Sequence, residues 1–399
     1  MSQAASIDTA PAPLLGRARS IARILERDAA EAERTRTLPP TSIDAIADAG
    51  LFRFCLPREL GGEEPDFTQA IEVWEEIARA DGSAGWTAMA NGSGAAAAAA
   101  FLSDDAVEQI FQAGPAATVA GQFAPMGAGN RDGDGWRVTG SYHFGSGSGH
   151  SGYVSAGFMA LHEGQPRIAA NGLPDMRVGF VPRDAAEFTD GWHVMGLCGT
   201  GSYDYEVRDV RIPDGFTFEL FGKQPVRGGE TFAAMFRLGM MPFTAAGHAA
   251  WALGVGRRLL DEIHRIAGGT QRMGDPTPLS GRLTFQKGYA QQEAKLRAAR
   301  LLVLETFGDA LAAARAGDVP TPRQRALVRA ATNLATEAAV DAARFAHARA
   351  GTQAIREGSL IERAFRDAHT GSQHAFIGEQ VWADSANVLL GNVEDSPSL

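Results

Sequence analysis

Apolar positions recur at helical spacing through the first third of the chain. Between residues 14 and 36, Leu15, Ala18, Ile21, Ala22, Ile24 and Leu25 keep an approximate 3.6-residue period with charges between them. Pro39 and Pro40 stop this helix, and Thr41 or Ser42 offers a cap for the next, which ends at Gly50. After the turn-rich segment LPRELGG (56–62), Asp66 is placed to cap a helix through Ile71, Trp74, Ile77 and Ala78. Residues 85–101 are almost all small, which suits a helix packed closely on its neighbours; the 95–100 alanine run would alternatively line a cavity. Ser103 opens one more helix, closed by Gly114 and Pro115.

The period then changes. Segments 119–123, 136–144, 153–161, 176–181 and 203–212 are short, alternating or β-branched, with Gly, Asp and Pro between them. Asp132, Gly133, Asp134 and Gly135 form a tight-turn signal between two of these strands. Helical patterns return over 231–267, 280–316, 322–350 and 359–390, four long stretches joined by short breaks. The expected fold class is α+β: an N-terminal α-helical domain (1–115), a middle antiparallel β-domain (116–225) and a C-terminal four-helix bundle (226–399).

Composition narrows the function. The 399 residues carry 37 Lys+Arg against 47 Asp+Glu, a formal net charge of −10 with no basic block, which argues against nucleic acid or an anionic membrane surface as partner. Hydrophobic residues at 45% allow a large core. The apolar run 94–102 is too short to span a bilayer, and residues 1–16 lack the pattern of a secretory signal, so a cytoplasmic location is expected. Two distant cysteines make no disulfide framework, and the nine histidines show no metal-binding spacing, so no metal is expected. Residues 147–152 satisfy G-x-G-x-x-G, but the pattern continues as a strand rather than a helix, so a dinucleotide fingerprint is not expected there.

Four segments in order carry a resemblance. LPRELGG (56–62) with IARADGSAGW (77–86), WHVMGLCGTGS (192–202) with VRDVRIP (207–213), RAFRDAH (363–369) and NVLLG (387–391) together resemble the acyl-CoA dehydrogenase superfamily over roughly residues 14–392. The resemblance implies a flavin between β-domain and bundle, in a homotetramer. It also implies a carboxylate base in dehydrogenating members, yet the two places where such a base is expected hold Gln373 to Phe376 and Phe236.

These departures resemble the oxygenase components of two-component flavin-dependent monooxygenases, as does FGSGSGH (144–150). Such a protein takes reduced FMN or FAD from a separate flavin reductase and uses O2 to oxygenate a small organic substrate through a C4a-hydroperoxyflavin. By this resemblance Ser146 lies beside the reacting edge of the flavin and His374 is an active-site imidazole suited to proton exchange. Gln122, Phe123, Gly147, Thr200, Ser202, Arg237 and Arg272 fall at flavin-binding positions, and Asn91, Ser93 and His150 at substrate-facing ones. Thr200 and Ser202 equally suit a shaped strand turn, Arg237 a pairing within the bundle, Arg272 a solvated loop, and His150 a structural role. The stretch 88–94 lacks the substrate-facing His of many relatives, which removes one route to deprotonating a phenol. An acyl-CoA dehydrogenase or related oxidase, and a non-catalytic scaffold, are the alternative readings.

Overall fold

The computed structural model describes residues 13–170, 172–189, 191–221, 224–269, 277–396 and 399. Its first helices are α1 (Leu14–Thr35), α2 (Pro40–Asp48), α3 (Phe67–Ala80), α4 (Gly82–Phe101) and α5 (Asp104–Phe111). Asp66 caps α3 in a capping box with Gln69, and Ser103 accepts from the Ala106 N–H at 3.3 Å to cap α5. Helix α2 starts differently from the expectation. Pro39 is its cap residue, while Thr41 and Ser42 turn back to the buried carboxylate of Asp28, Ser42 at 3.0 Å. A buried carboxylate needs those donors more than a solvated helix end does.

Eight strands follow among the described residues: β1 (Val119–Asp132), β2 (Gly135–Gly145), β3 (Tyr153–His162), β4 (Gln165–Pro166), β5 (Met176–Pro182), β6 (Glu187–Phe188), β7 (Tyr203–Pro213) and β8 (Thr217–Glu219). The sheet is mixed rather than antiparallel. Its order is β6-β7-β2-β1-β3-β5-β8, with β4 on β3, and β1 and β3 run parallel. β1 and β2 form a hairpin about Gly133 and Asp134, so β3 can join the free edge of β1 only after the chain crosses the beginning of β1. Residues 146–152 make that crossing, where Ser151 Oγ meets Thr118 Oγ1 at 3.0 Å. Alternation alone cannot reveal such a crossing, because the strand period is the same in either direction.

The helices that close the chain are α6 (Glu230–Arg237), α7 (Met240–Gly269), α8 (Leu283–Arg315), α9 (Pro322–Ala350), α10 (Leu360–Gly371) and α11 (Glu379–Leu389). Two of the four expected long helices are therefore broken. Gly239, at φ +93°, separates α6 from α7, and the 372–378 loop separates α10 from α11. Val178, Phe180 and Phe218 of the sheet join the helical core, while Trp136, Tyr142, Phe158 and Tyr205 form a smaller core of their own. Residues 95–100 of α4 are each 0% exposed, so the alanine run serves close packing.

Helix α10 approaches α7 closely enough that only glycine fits at 371, where a Cβ would lie 2.0 Å from the Trp251 ring. We expect Gly371→Ala to destabilise the protein by about 1–3 kcal/mol through overpacking. A lowered urea midpoint at unchanged slope would show this, and an unchanged midpoint would contradict it.

Candidate active site

The crossing loop delivers Ser146 to the first turns of α4. Trp86 Nε1 donates to Ser146 Oγ at 3.1 Å, and Asn91 Nδ2 donates to the carbonyls of Ser146 at 3.0 Å and Val119 at 3.1 Å. Gly147 sits at φ +80°, and a Cβ there would lie 2.3 Å from Asn91 Oδ1, so both backbone and space require glycine. The loop is also tied to the 198–202 segment: Gly147 N–H donates to Thr200 O at 2.8 Å, and Ser148 Oγ to Gly201 O at 3.1 Å.

Three buried hydroxyls run on from Trp86. Ser146 Oγ lies 2.7 Å from Ser202 Oγ, which lies 2.6 Å from Thr200 Oγ1, which donates to Leu197 O at 2.8 Å. The two ends set the direction of the whole chain, since an indole N–H can only donate and a carbonyl can only accept. Thr200 therefore accepts from Ser202, and Ser202 from Ser146. Ser146, with its hydrogen committed, presents an oxygen lone pair. Beyond the chain, Leu197 N–H donates at 2.6 Å to Asp367, a buried carboxyl pushed up to about 7 by burial and by neighbouring Asp81.

Imidazoles approach Trp86 from the bundle. His374, in the 372–378 loop, has its ring centroid 5.6 Å from Trp86, and His248 of α7 lies 5.0 Å from Trp86 and 4.2 Å from His374. The Phe376 N–H donates to His374 Nδ1 at 3.2 Å, which puts the proton of the neutral ring on Nε2. Burial, helped by the Arg329 charge, pulls His374 down to about 4. His248 is also held well below its ordinary value, by burial first and then by His374 and Arg329. Both rings are neutral near pH 7.

The remaining expected residues divide. Asn91 is fully buried with both ends of its amide bonded, since its Oδ1 also meets His150 Nε2 at 3.0 Å, so it clamps the Ser146 loop. His150 packs at a tilt against Phe52, centroids 5.6 Å apart, leaves Nδ1 without a partner, and is lowered to about 4 by burial. The buried Ser93 hydroxyl also lacks a partner. Gln122 and Phe123 sit where β1 leaves register with β3, between the pairs Gln122↔Ala156 and Gly127↔Phe158. Arg237 is not brought to the cluster: its Nη1 is held 2.7 Å from Ala314 O at the end of α8. Arg272 lies outside the described residues. His248 was missed because a histidine inside the apolar stretch of α7 reads as core, and Trp86 because its indole N–H has no sequence signature.

The donor set fits a flavin. Buried hydroxyls and backbone groups from three loops offer donors and acceptors without formal charge, as the polar edge of a heteroaromatic ring requires. The oxygen lone pair of Ser146 suits the N–H that distinguishes a reduced flavin. Phe144, two residues earlier, is 65% exposed at φ +63°, a left-handed conformation that costs a non-glycine residue about 1–3 kcal/mol. It and Met195, 55% exposed, supply apolar surface on the loops that carry Ser146 and Thr200.

Comparison with known proteins agrees. Residues 17–111 match the family described as acyl-CoA dehydrogenase, N-terminal domain, and residues 246–379 the acyl-CoA dehydrogenase, C-terminal domain. Indole-3-acetate monooxygenase of Pseudomonas putida is 30% identical over 361 residues, 90% of this chain and 89% of the relative. The flavin-dependent monooxygenase oxygenase subunit HsaA of Mycobacterium tuberculosis is 27% identical over 385 residues, 92% of each. A solved structure of XiaF from Streptomyces sp. with FADH2 and glycerol has a TM-score of 0.83 at 22% identity, covering 97% of each chain. The chain belongs to the acyl-CoA dehydrogenase superfamily, within its flavin-dependent monooxygenase branch. It is an enzyme of that kind, and no helix among the described residues is long and apolar enough to cross a membrane.

Two outcomes follow. Asn91→Leu strips the buried carbonyls of Ser146 and Val119 of a donor, at about 1–3 kcal/mol each, and flavin affinity measured by fluorescence titration falls with stability; unchanged affinity would contradict the clamp. His150 and His374 refuse protons down to about 4 when folded but accept them near 6.5 when unfolded. Stability therefore falls as pH drops from about 6.5 towards 4. Thermal melts should show that loss reduced in His374→Gln, and an equal loss would argue against a neutral buried ring.

Proposed function

We propose that this enzyme oxygenates a small aromatic substrate, with Ser146 as the hydroxyl that meets the reacting edge of the flavin and His374 as the proton donor beside it. Reduced flavin, as FMN or FAD, supplies the electrons that activate O2. Residues 122–126, 144–147 and 198–202 would hold the ring, with the oriented hydroxyls fixing its polar edge. Trp86 and the packed imidazoles keep bulk water away, which protects an activated cofactor from wasteful collapse to H2O2. His374 holds a proton at Nε2 because Phe376 occupies its other nitrogen.

The observation that carries this reading is the unbroken run from Thr200 through Ser202, Ser146 and Trp86 to His374. None of these four contacts involves a carboxylate. At the two places where a dehydrogenase base is expected, Phe236 is a buried apolar ring and Gln373 is neutral. An indole-like ring suits a site without the phenol-deprotonating His, and indole-3-acetate is the named substrate of the Pseudomonas putida relative. Residues 147–152 lead into β3 rather than a helix, so they form no dinucleotide site, and a separate reductase supplies reduced flavin. A cytoplasmic homotetramer completes the proposal, and sedimentation tests that assembly.

Mixing the protein and anaerobically reduced flavin with oxygenated buffer in a stopped-flow instrument should show a transient absorbance before oxidised flavin appears. Ser146→Ala should shorten its lifetime roughly tenfold, the scale of one lost hydrogen bond. His374→Ala should cut product formation by about 10²-fold or more while leaving flavin binding nearly intact. A lifetime unchanged in the first variant, or normal turnover in the second, would remove that role.

A further inference from the structure

Arg329 of α9 is only 3% exposed, yet neither its Nε nor its Nη1 meets an acceptor. Burying a cation with two nitrogens unbonded is costly, because they lose water and gain no acceptor in return. The Phe376 ring, 4.9 Å beneath it, offers a cation–π contact but no hydrogen-bond acceptor in its plane. Burial lowers the guanidinium to about 10 while Asp384 of α11 pulls the other way, so it is charged near pH 7. The titratable groups it acts on are His374 in the 372–378 loop and His248 of α7, and it pushes both towards the neutral form. With Asp384 acting on the charge, Nε and Nη1 are still two buried donors without an acceptor, the pair that a planar anion can bridge.

We propose that Arg329 receives the carboxylate of an aromatic acid substrate, beside the neutral imidazoles of His248 and His374. This rests on the monooxygenase reading, because it takes the space beside His374 to be where substrate lies, and it adds the charge that the substrate must carry. Arg329 reaches that space through Phe376, which stacks on His374 at 5.4 Å and on His248 at 5.9 Å. A hydrogen bond to a charged group contributes about 1.5–3 kcal/mol, equivalent to roughly tenfold or more in affinity. Lysine would keep the charge but lose the planar fork that stacks on Phe376.

The test measures anaerobic binding of indole-3-acetate, phenylacetate and benzoate, each against its primary amide, to protein loaded with reduced flavin. Wild-type protein should bind at least one acid about tenfold more tightly than its amide. Arg329→Gln should abolish that preference and Arg329→Lys retain part of it, with amide affinity showing that each variant is folded. Equal binding of acid and amide by wild-type protein, absence of binding by all six, or a preference that survives Arg329→Gln would overturn the site. The oxygen-dependent transient of the wild-type protein is read separately. Its absence would count against the monooxygenase reading, whatever the acids and amides show.

Discussion

The indole of Trp86 is the point through which the strand-borne and bundle-borne halves of the site meet. Its N–H holds Ser146, its ring touches His248 and His374, and its edge packs on Trp251 at 5.0 Å. The start of α4 is fixed to support it: Asp81 caps the helix by accepting from Ala84 N–H at 2.9 Å, and Trp251 Nε1 donates to Gly82 O at 2.9 Å. A side chain pinned on so many sides has one rotamer open to it, so the two halves share a common position.

Around this hub the chemistry is arranged by charge. On the sheet side lie neutral hydroxyls whose hydrogen positions are dictated by an indole donor at one end and a carbonyl acceptor at the other. On the bundle side lie two imidazoles kept neutral by burial, with Arg329 behind them as a formal charge. In a medium of low dielectric, fixed dipoles and a single cation act over longer range than they would in water. Side chains so arranged can direct one proton without exposing it to solvent.

Much of this was legible in the sequence. The five main strands and most helix starts follow from local pattern and the family from four motifs in order, while Ser146 and His374 were named only by likeness to one branch of that family. The rest was hidden for physical reasons. Helical periodicity continues across Gly239 and through 372–378, so the breaks in the bundle leave little trace, and the second break is the loop that carries His374. The parallel pairing of β1 and β3 depends on a crossing loop, not on strand composition. The bonds of Asn91 to two carbonyls and His150 exist only in three dimensions, so its part in holding the Ser146 loop left no trace in the sequence. Arg329 sits among Leu327, Val328, Ala330 and Ala331 of α9 like the other arginines of the bundle, and only its burial sets it apart.

The central claim is that the oriented hydroxyl chain ending at Trp86 is where the reacting edge of the flavin docks. A crystal structure of the protein with reduced flavin, grown and frozen without oxygen, tests it most directly. The account predicts a ring nitrogen within about 3 Å of Ser146 Oγ, with His374 on the substrate side. A flavin bound elsewhere, with the Trp86–Ser146–Ser202–Thr200 chain intact and unapproached, would contradict it.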